Sequence, residues 1–306
     1  MRVIFVQGTA IGNQRRKDYE PVTAMTDSQA NDSLQKWRES APYWEKHSAT
    51  IRLMFAPLTQ ALIKDAGIAR GQSVLDVAGG PGEPSLTIAE RVGPQGFVMC
   101  TDPVAAMVAA AKNEASRRAI TNIAFHQCAA ELLPFQTDTF DVVVSRLGAM
   151  FFVDTAAAMR EMLRVIKPGG SISLAVWHKS ELNPFCYLVG DIMSRYVEPV
   201  PEDPNAPGAF RFAGLGSLAG ILAKSGAVDV RERVLEFFIQ APISPEEFWE
   251  LRSQTSETLR EKLSRLSPKK IFQVTKEIME AARDFFPNGQ MNFPAQMIVV
   301  TGRKSR

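Results

Sequence analysis

The stretch "SVLDVAGGPGEPSL", residues 73–86, joins a hydrophobic run carrying one acid, Asp76, to a turn with three glycines. Val74-Leu75-Asp76-Val77 reads as a buried strand, and Ser85–Arg91 as the start of a helix. Between them Gly79, Gly80 and Gly82 bring no side chains, so a ligand can approach the backbone closely. A dinucleotide fold places G-x-G-x-x-G here to cradle a pyrophosphate at the helix N-terminus. That spacing is absent. Asp76, reinforced by Glu83, would repel a pyrophosphate and suits a positively charged ligand without phosphate. A glycine-rich βα turn that serves packing alone is the plainer alternative.

Outward from this stretch, short β-branched runs recur at 73–77, 96–101, 123–128, 141–145 and 171–177. Ala-rich helical segments lie between them at 83–92, 104–118 and 155–167. The alternation predicts βαβ units with right-handed crossovers and a parallel sheet. "KPGG", 167–170, reads as a helix stop and a turn into the next strand. Upstream, 32–66 carries helical apolar stripes that include Leu34, Trp37, Tyr43, Trp44, Ile51 and Phe55. Downstream, helices are expected near 184–196 and 215–225, on either side of the Pro-rich segment 197–210. Two late β runs, 228–239 and 296–301, bracket a helical insert. "SPEE", 244–247, opens that insert with Ser as cap and Pro at the first helical position.

The expected architecture is thus one doubly wound α/β domain over 71–243 and 286–306. A leader at 1–24, loosely attached, and a helical lead or lid at 25–70 precede it. The helical insert at 244–285 serves as a lid or as a dimer contact. With 35 basic and 33 acidic residues scattered along the chain, nothing suggests a polyanionic partner. No apolar run approaches the roughly 20 residues of a membrane span. Cys100, Cys128 and Cys186 form no metal or redox motif, which fits a reducing cytoplasm and no metal.

Asp102 ends the second strand, 26 residues after Asp76. A parallel sheet sets it beside the glycine turn, where an acid takes both hydroxyls of a ribose. As an alternative, Asp102 before Pro103 is a helix N-cap. Met107, one turn later, either covers a nucleobase or packs in the core.

"VLDVAGGPGE", "CTDPVAAM", "AAELLPFQTDTFDVVVS" and "MREMLRVIKPGGSISLAVW" together resemble class I S-adenosylmethionine-dependent methyltransferases, most closely the subgroup related to ubiquinone/menaquinone C-methyltransferases. The resemblance covers about residues 70–178. It implies a mostly parallel seven-stranded Rossmann-like sheet with a reversed last strand. It also implies S-adenosylmethionine as cofactor and S-adenosylhomocysteine as product. By that resemblance, Asp76 and the turn Ala78, Gly79, Gly80 and Gly82 hold the methionyl part. Asp102 binds the ribose, Pro103 and Met107 flank the adenine, and Ala130, Glu131 and Leu132 line its edge. Ser145 and Arg146 stand at the sulfonium end. Two departures are visible: Ala78 replaces a common first glycine, and Ala129 stands where many members have Asp or Asn.

Methyl transfer from a sulfonium needs alignment in a dry pocket more than strong acid–base chemistry. A hydroxyl acceptor would call for a base, and His is the usual type. His178, beyond the fifth strand, and His47, in the lead, are the candidates beside Arg146, whereas His126 reads as a packed core residue. Tyr43, Trp44, Met150, Phe151, Phe210 and Phe248 are candidate pocket walls, with Arg211, Phe212 and Trp249 nearby in sequence. So many aromatics favour a small apolar or aromatic acceptor, taken at O, N or C, by a monomer or homodimer. The alternatives are a quinone-precursor C-methyltransferase and a non-catalytic S-adenosylmethionine-binding scaffold or sensor. An NAD(P)-dependent oxidoreductase is opposed by the glycine spacing and by Asp76.

Overall fold

A computed structural model describes residues 27–198 and 206–306. The proposed leader, 1–24, lies outside the described residues.

The alternation read from the sequence becomes a seven-stranded sheet of order β3-β2-β1-β4-β5-β7-β6. β1 (Ser73–Val77), β2 (Phe97–Asp102), β3 (Ile123–Gln127), β4 (Phe140–Arg146) and β5 (Ile166–Trp177) run parallel. β7 (Met291–Arg303) is antiparallel to both β5 and β6 (Val228–Ala241). This is the expected mostly parallel sheet with a reversed last strand.

Its central strands are apolar on both faces because both faces are covered. On one face Val74, Val142 and Val144 pack with Ile63, Ile88 and Ala89. Those three come from α3 (Ala56–Asp65) and α4 (Ser85–Val92). On the other face Leu75 and Val143 meet Met159 and Met162 of α6 (Thr155–Val165). Strand alternation dictates the split, and it puts Asp76 on the same face as Val74.

The segment 167–170 corrects the reading of a stop and turn. α6 ends at Val165, and Lys167–Gly170 already belongs to β5, opposite an irregular register at Phe140/Val142. A bulge absorbs the Pro-Gly-Gly there, with Gly169 at φ +76°. His126 is also corrected: β3 is the sheet's edge, so this side chain is exposed rather than packed in the core.

The lead comprises α1 (Asp27–Lys46), α2 (Ser48–Met54) and α3, with Pro57 in the first turn of α3. α5 (Ala105–Arg117) follows β2; α7 (Pro184–Ser194) and α8 (Ser217–Lys224) lie between β5 and β6. The insert is three helices, α9 (Pro245–Thr255), α10 (Glu257–Ser264) and α11 (Pro268–Ala282). Ser244 and Glu247 make the anticipated capping box. The insert docks inward: Phe248, Leu251, Val274 and Ile278 are buried with Phe185 of α7 and Phe293 of β7. None of the helices in the described residues is long and apolar enough to cross a membrane.

Candidate functional site

A cavity of about 220 Å³ opens at the carboxyl ends of β1, β2, β3 and β4. The strand order reverses between β1 and β4, which is where open α/β sheets bind ligands. The β1–α4 turn supplies Ala78, Gly79, Gly80, Pro81 and Glu83; β2 supplies Asp102, followed by Pro103 and Met107. The segment after β3 gives Cys128, Ala129, Ala130 and Glu131, and the end of β4 gives Arg146, Leu147 and Gly148. Trp37, Trp44, Ile51, Arg52 and Phe55 of the lead also border it, as do Phe151 and Phe152.

The glycine turn is shaped from below. Gly79 lies over Asp76 and Cys100, where a Cβ would come within 2.9 Å of Asp76 Oδ2 and 2.7 Å of Cys100 Sγ. Gly80, at φ +56°, has open space where its side chain would be. Ala78 takes a positive φ of 59° that usually favours glycine. Gly148 is needed opposite it: a Cβ there would sit 2.6 Å from that of Ala78.

Asp102 joins turn and strand. Its Oδ2 accepts a hydrogen bond from Gly80 N at 3.0 Å, and its Oδ1 accepts from Val104 N at 2.9 Å. The N-cap of α5 is Val104, so Asp102 braces the approach to the helix without capping it. An ionised carboxylate offers about four lone-pair directions. With two taken, acceptor capacity remains for hydroxyls on the cavity side. Burial raises the Asp102 pKa to about 6, opposed by the N–H groups of Val104 and Gly80.

Asp76 does not border the cavity. It is fully buried beneath the turn, where Oδ2 accepts from Ser85 Oγ at 2.5 Å and Oδ1 has no partner. Burial pushes its pKa up to about 7, which Ser85 and then Arg146 only partly oppose. Asp76, expected to hold the methionyl part, instead supports the turn from beneath and does not border the cavity. Glu83 borders the cavity, but its carboxylate is occupied by Arg118 at 2.6 Å and Thr87 at 2.7 Å. It offers little free negative charge, contrary to the sequence reading. Arg118, beyond the end of α5, has no local motif that would announce this pairing.

Arg146 is held at the cavity wall. Its Nη1 donates to Thr59 Oγ1 at 2.9 Å, its Nη2 donates to the Glu83 carbonyl at 3.1 Å, and its guanidinium carbon is 5.7 Å from the Phe55 ring centre. Burial pulls its pKa down, against attraction from Glu83 and Asp76. Glu131 has its carboxylate on the Val153 and Asp154 amides at 2.8 and 3.2 Å, steadying the entry to α6.

The structure brings together Trp44, Ala78, Gly79, Gly80, Asp102, Pro103, Met107, Ala130, Glu131, Arg146 and Phe151 from the sequence-derived candidates. Others lie elsewhere. Gly82 turns the chain behind the lining, where a Cβ would strike Leu86 at 2.8 Å. Ser145 is buried in β4, Met150 is core, and Leu132 projects into solvent at 76% exposure. His178 is buried with Nδ1 2.7 Å from the Ala213 carbonyl. His47 faces Gln254 at 2.8 Å, and the ring of Tyr43 lies under Arg260. Phe210 sits near Trp177, Phe212 is buried under Arg211, and Phe248 stacks on Phe293. His178, His47, Tyr43, Phe210, Phe212 and Phe248 bury or pair their side chains away from the cavity because the insert and the segment after β5 pack into the core. Trp37 and Phe55, read as helical stripe positions, do line it; Trp37 meets Phe151 edge-on at 5.1 Å.

Residues 55–195 match the model of the ubiE/COQ5 methyltransferase family. The ubiquinone/menaquinone biosynthesis C-methyltransferase UbiE of Cellvibrio japonicus is 39% identical over 118 residues, 38% of this chain and 47% of that protein. The chain spans about half the length of the curated relatives it matches. Among solved structures, the YcgJ protein of Bacillus subtilis superposes with TM-score 0.52 at 22% identity, covering 81% of this chain and 98% of that one. Phosphoethanolamine N-methyltransferase 2 of Haemonchus contortus, solved with phosphomonomethylethanolamine and S-adenosylhomocysteine, gives TM-score 0.54 at 17% identity, covering 89% and 60%. At these identities the structural likeness is one of fold. The core has the Rossmann-like methyltransferase fold, and residues 55–195 are similar to the ubiE/COQ5 methyltransferase family.

Proposed function

We propose that this chain transfers a methyl group from S-adenosylmethionine to a small apolar or aromatic acceptor. The observation that carries this reading is Asp102, buried at the β2 end, bonded to the Gly80 amide and with acceptor capacity left toward the cavity. A ribose diol is the group such a carboxylate suits, and the open backbone at Gly80 leaves room for the rest of the cofactor. Pro103, Met107, Ala130 and Glu131 would border its adenine. The bound cofactor supplies an electrophilic methyl on a sulfonium, which becomes a neutral thioether.

The chain's own share is alignment and exclusion of water. Trp37, Trp44, Phe55, Phe151 and Phe152 give the acceptor end an apolar wall. An in-line displacement gains several kcal/mol from fixed alignment in such a pocket. No histidine borders the cavity, and its carboxylates Glu83, Asp102, Glu114 and Glu131 each hold a cation or an amide. This supports an acceptor that arrives already nucleophilic. The relatives named for ubiquinone and menaquinone biosynthesis support a second reading, a ring carbon of a quinone precursor as the acceptor.

Calorimetric titration of S-adenosylhomocysteine into wild type and Asp102→Ala tests the proposal. Loss of one buried, hydrogen-bonded carboxylate is expected to weaken binding by about 1.5–3 kcal/mol, roughly ten- to a hundredfold. Folded wild type that binds nothing would exclude the methyltransferase reading. Binding without transfer of labelled methyl to any small phenol, amine or carboxylic acid would favour a scaffold.

A further inference from the structure

Arg146 is a buried cation with no ion-pair partner among the described residues, at the wall of an aromatic-lined cavity. Among the described residues no carboxylate lies within 4.0 Å of its guanidinium, and its two hydrogen-bond partners, Thr59 Oγ1 and the Glu83 carbonyl, are neutral. The two nearby acids do not cancel it. Glu83 spends its carboxylate on Arg118 and Thr87, and Asp76 is sealed beneath the turn on Ser85. An arginine keeps its charge in a protein, and burying that charge without a counter-ion is costly. Thr59 and Glu83 take one N–H from each terminal nitrogen. Of the five guanidinium N–H groups three remain, enough for a two-pronged bond to a planar two-oxygen anion. Arg52, also bordering the cavity, is exposed and has no acidic partner among the described residues. The cavity therefore has an apolar wall and two cations without an ion-pair partner among the described residues.

We propose that Arg146 is the seat of a carboxylate carried by a small molecule that enters this cavity. Two carriers share that chemistry: the methyl acceptor, as an aromatic carboxylate, and the amino-acid tail of the cofactor. The assignment of these carriers rests on the methyltransferase reading; the carboxylate seat itself does not. The fixed orientation of the fork by Thr59 and Glu83 makes it a shaped receptor rather than a mobile surface charge.

The experiment compares two matched pairs of probes by calorimetry on the full chain. One pair is 2-naphthoate and its neutral isostere 2-naphthamide, titrated with and without saturating S-adenosylhomocysteine. The other is S-adenosylhomocysteine and 5′-methylthioadenosine, which lacks the amino-acid tail. Arg146→Gln and Arg146→Lys are measured alongside wild type, with melting curves to confirm folding. If the acceptor carries the carboxylate, wild type binds naphthoate at least tenfold tighter than naphthamide. Arg146→Gln then closes that gap, Arg146→Lys narrows it, and S-adenosylhomocysteine affinity stays within threefold. If the cofactor tail is the carrier, Arg146→Gln instead cuts the preference for S-adenosylhomocysteine over 5′-methylthioadenosine at least tenfold. Folded Arg146→Gln with both gaps unchanged overturns the proposal. Should that variant fail to fold, wild type showing neither gap overturns it equally. Wild type that binds no S-adenosylhomocysteine but prefers naphthoate over naphthamide keeps the seat and removes the methyltransferase reading.

Discussion

Asp76 shows how one residue can tie the glycine turn to stability. Buried on a central strand, it accepts from Ser85 beneath the turn, and burial outweighs the partial opposition of Ser85 and Arg146. Its native pKa is raised to about 7 from 3.8, so between those values the folded state holds a proton that the unfolded state has released. Stability must then fall as pH rises, since its slope follows protons bound unfolded minus protons bound folded. Between pH 5 and pH 8 wild type is expected to lose about 2–3 kcal/mol on this account, at 1.36 kcal/mol per unit. Asp76→Asn keeps an acceptor for Ser85 and removes the titration. Urea unfolding of both proteins at pH 5 and 8 checks this; equal losses in the two would show that Asp76 is not the group responsible. Asp102, raised to about 6, acts in the same direction but more weakly.

At the scale of elements, the lead is fastened to the insert by polar contacts rather than by the sheet alone. Trp44 Nε1 donates to the Thr255 carbonyl at 3.3 Å, and Lys46 meets Glu250 at 2.6 Å. Arg260 of α10 bonds Ser40 Oγ at 2.6 Å and the Gln254 carbonyl, and covers the Tyr43 ring. Because α1 carries Trp37 and Trp44 into the cavity wall, the insert steadies the cavity from outside. Arg260→Ala is expected to cost about 1–2 kcal/mol of local stability through the lost charged hydrogen bonds and cation–π contact. Hydrogen exchange should accelerate about tenfold or more in residues 34–46 and stay unchanged in β1 and β4. Equal acceleration in the strands would make Arg260 a global stabiliser. Ser244→Ala should cost about 1 kcal/mol by opening the capping box. Elements of this kind differ in how far the sequence discloses them. The capping box, the glycine turn and the Asp102 position were legible because a few neighbouring residues determine them. The first turn of β5 was not, since Lys-Pro-Gly-Gly has turn chemistry and only the pairing with β4 makes it strand. Histidines were misplaced for a similar reason. His178 does follow β5, but the Ala213 carbonyl that captures it comes from a distant segment.

Across the whole molecule, the lead, sheet and insert share one hydrophobic core. A single contiguous cluster runs from Ile51, Phe55 and Leu62 of the lead through Leu75, Val143 and Val176 of the sheet to Phe248, Leu259 and Ile278 of the insert. The sequence reading took 244–285 as a helical insert serving as a lid or a dimer contact; whichever it serves, its buried side chains pack into this shared core. Phe248 is fully buried against Phe185, Phe286 and Phe293, so truncating it to Ala should cost about 3–5 kcal/mol. The same continuity predicts how the protein melts. An appended lid would unfold on its own, below the main transition. A shared core instead requires lead, insert and sheet to unfold together, with calorimetric and van't Hoff enthalpies agreeing. Scanning calorimetry should therefore give one endotherm for wild type, and Phe248→Ala should shift it down without splitting it. S-adenosylhomocysteine at a hundred times its Kd should raise the entire transition, adding about 2.7 kcal/mol, because the cavity proposed for it is walled by both lead and sheet. Two resolved endotherms, with only the upper one moved by the ligand, would show that the insert unfolds apart from the rest of the molecule.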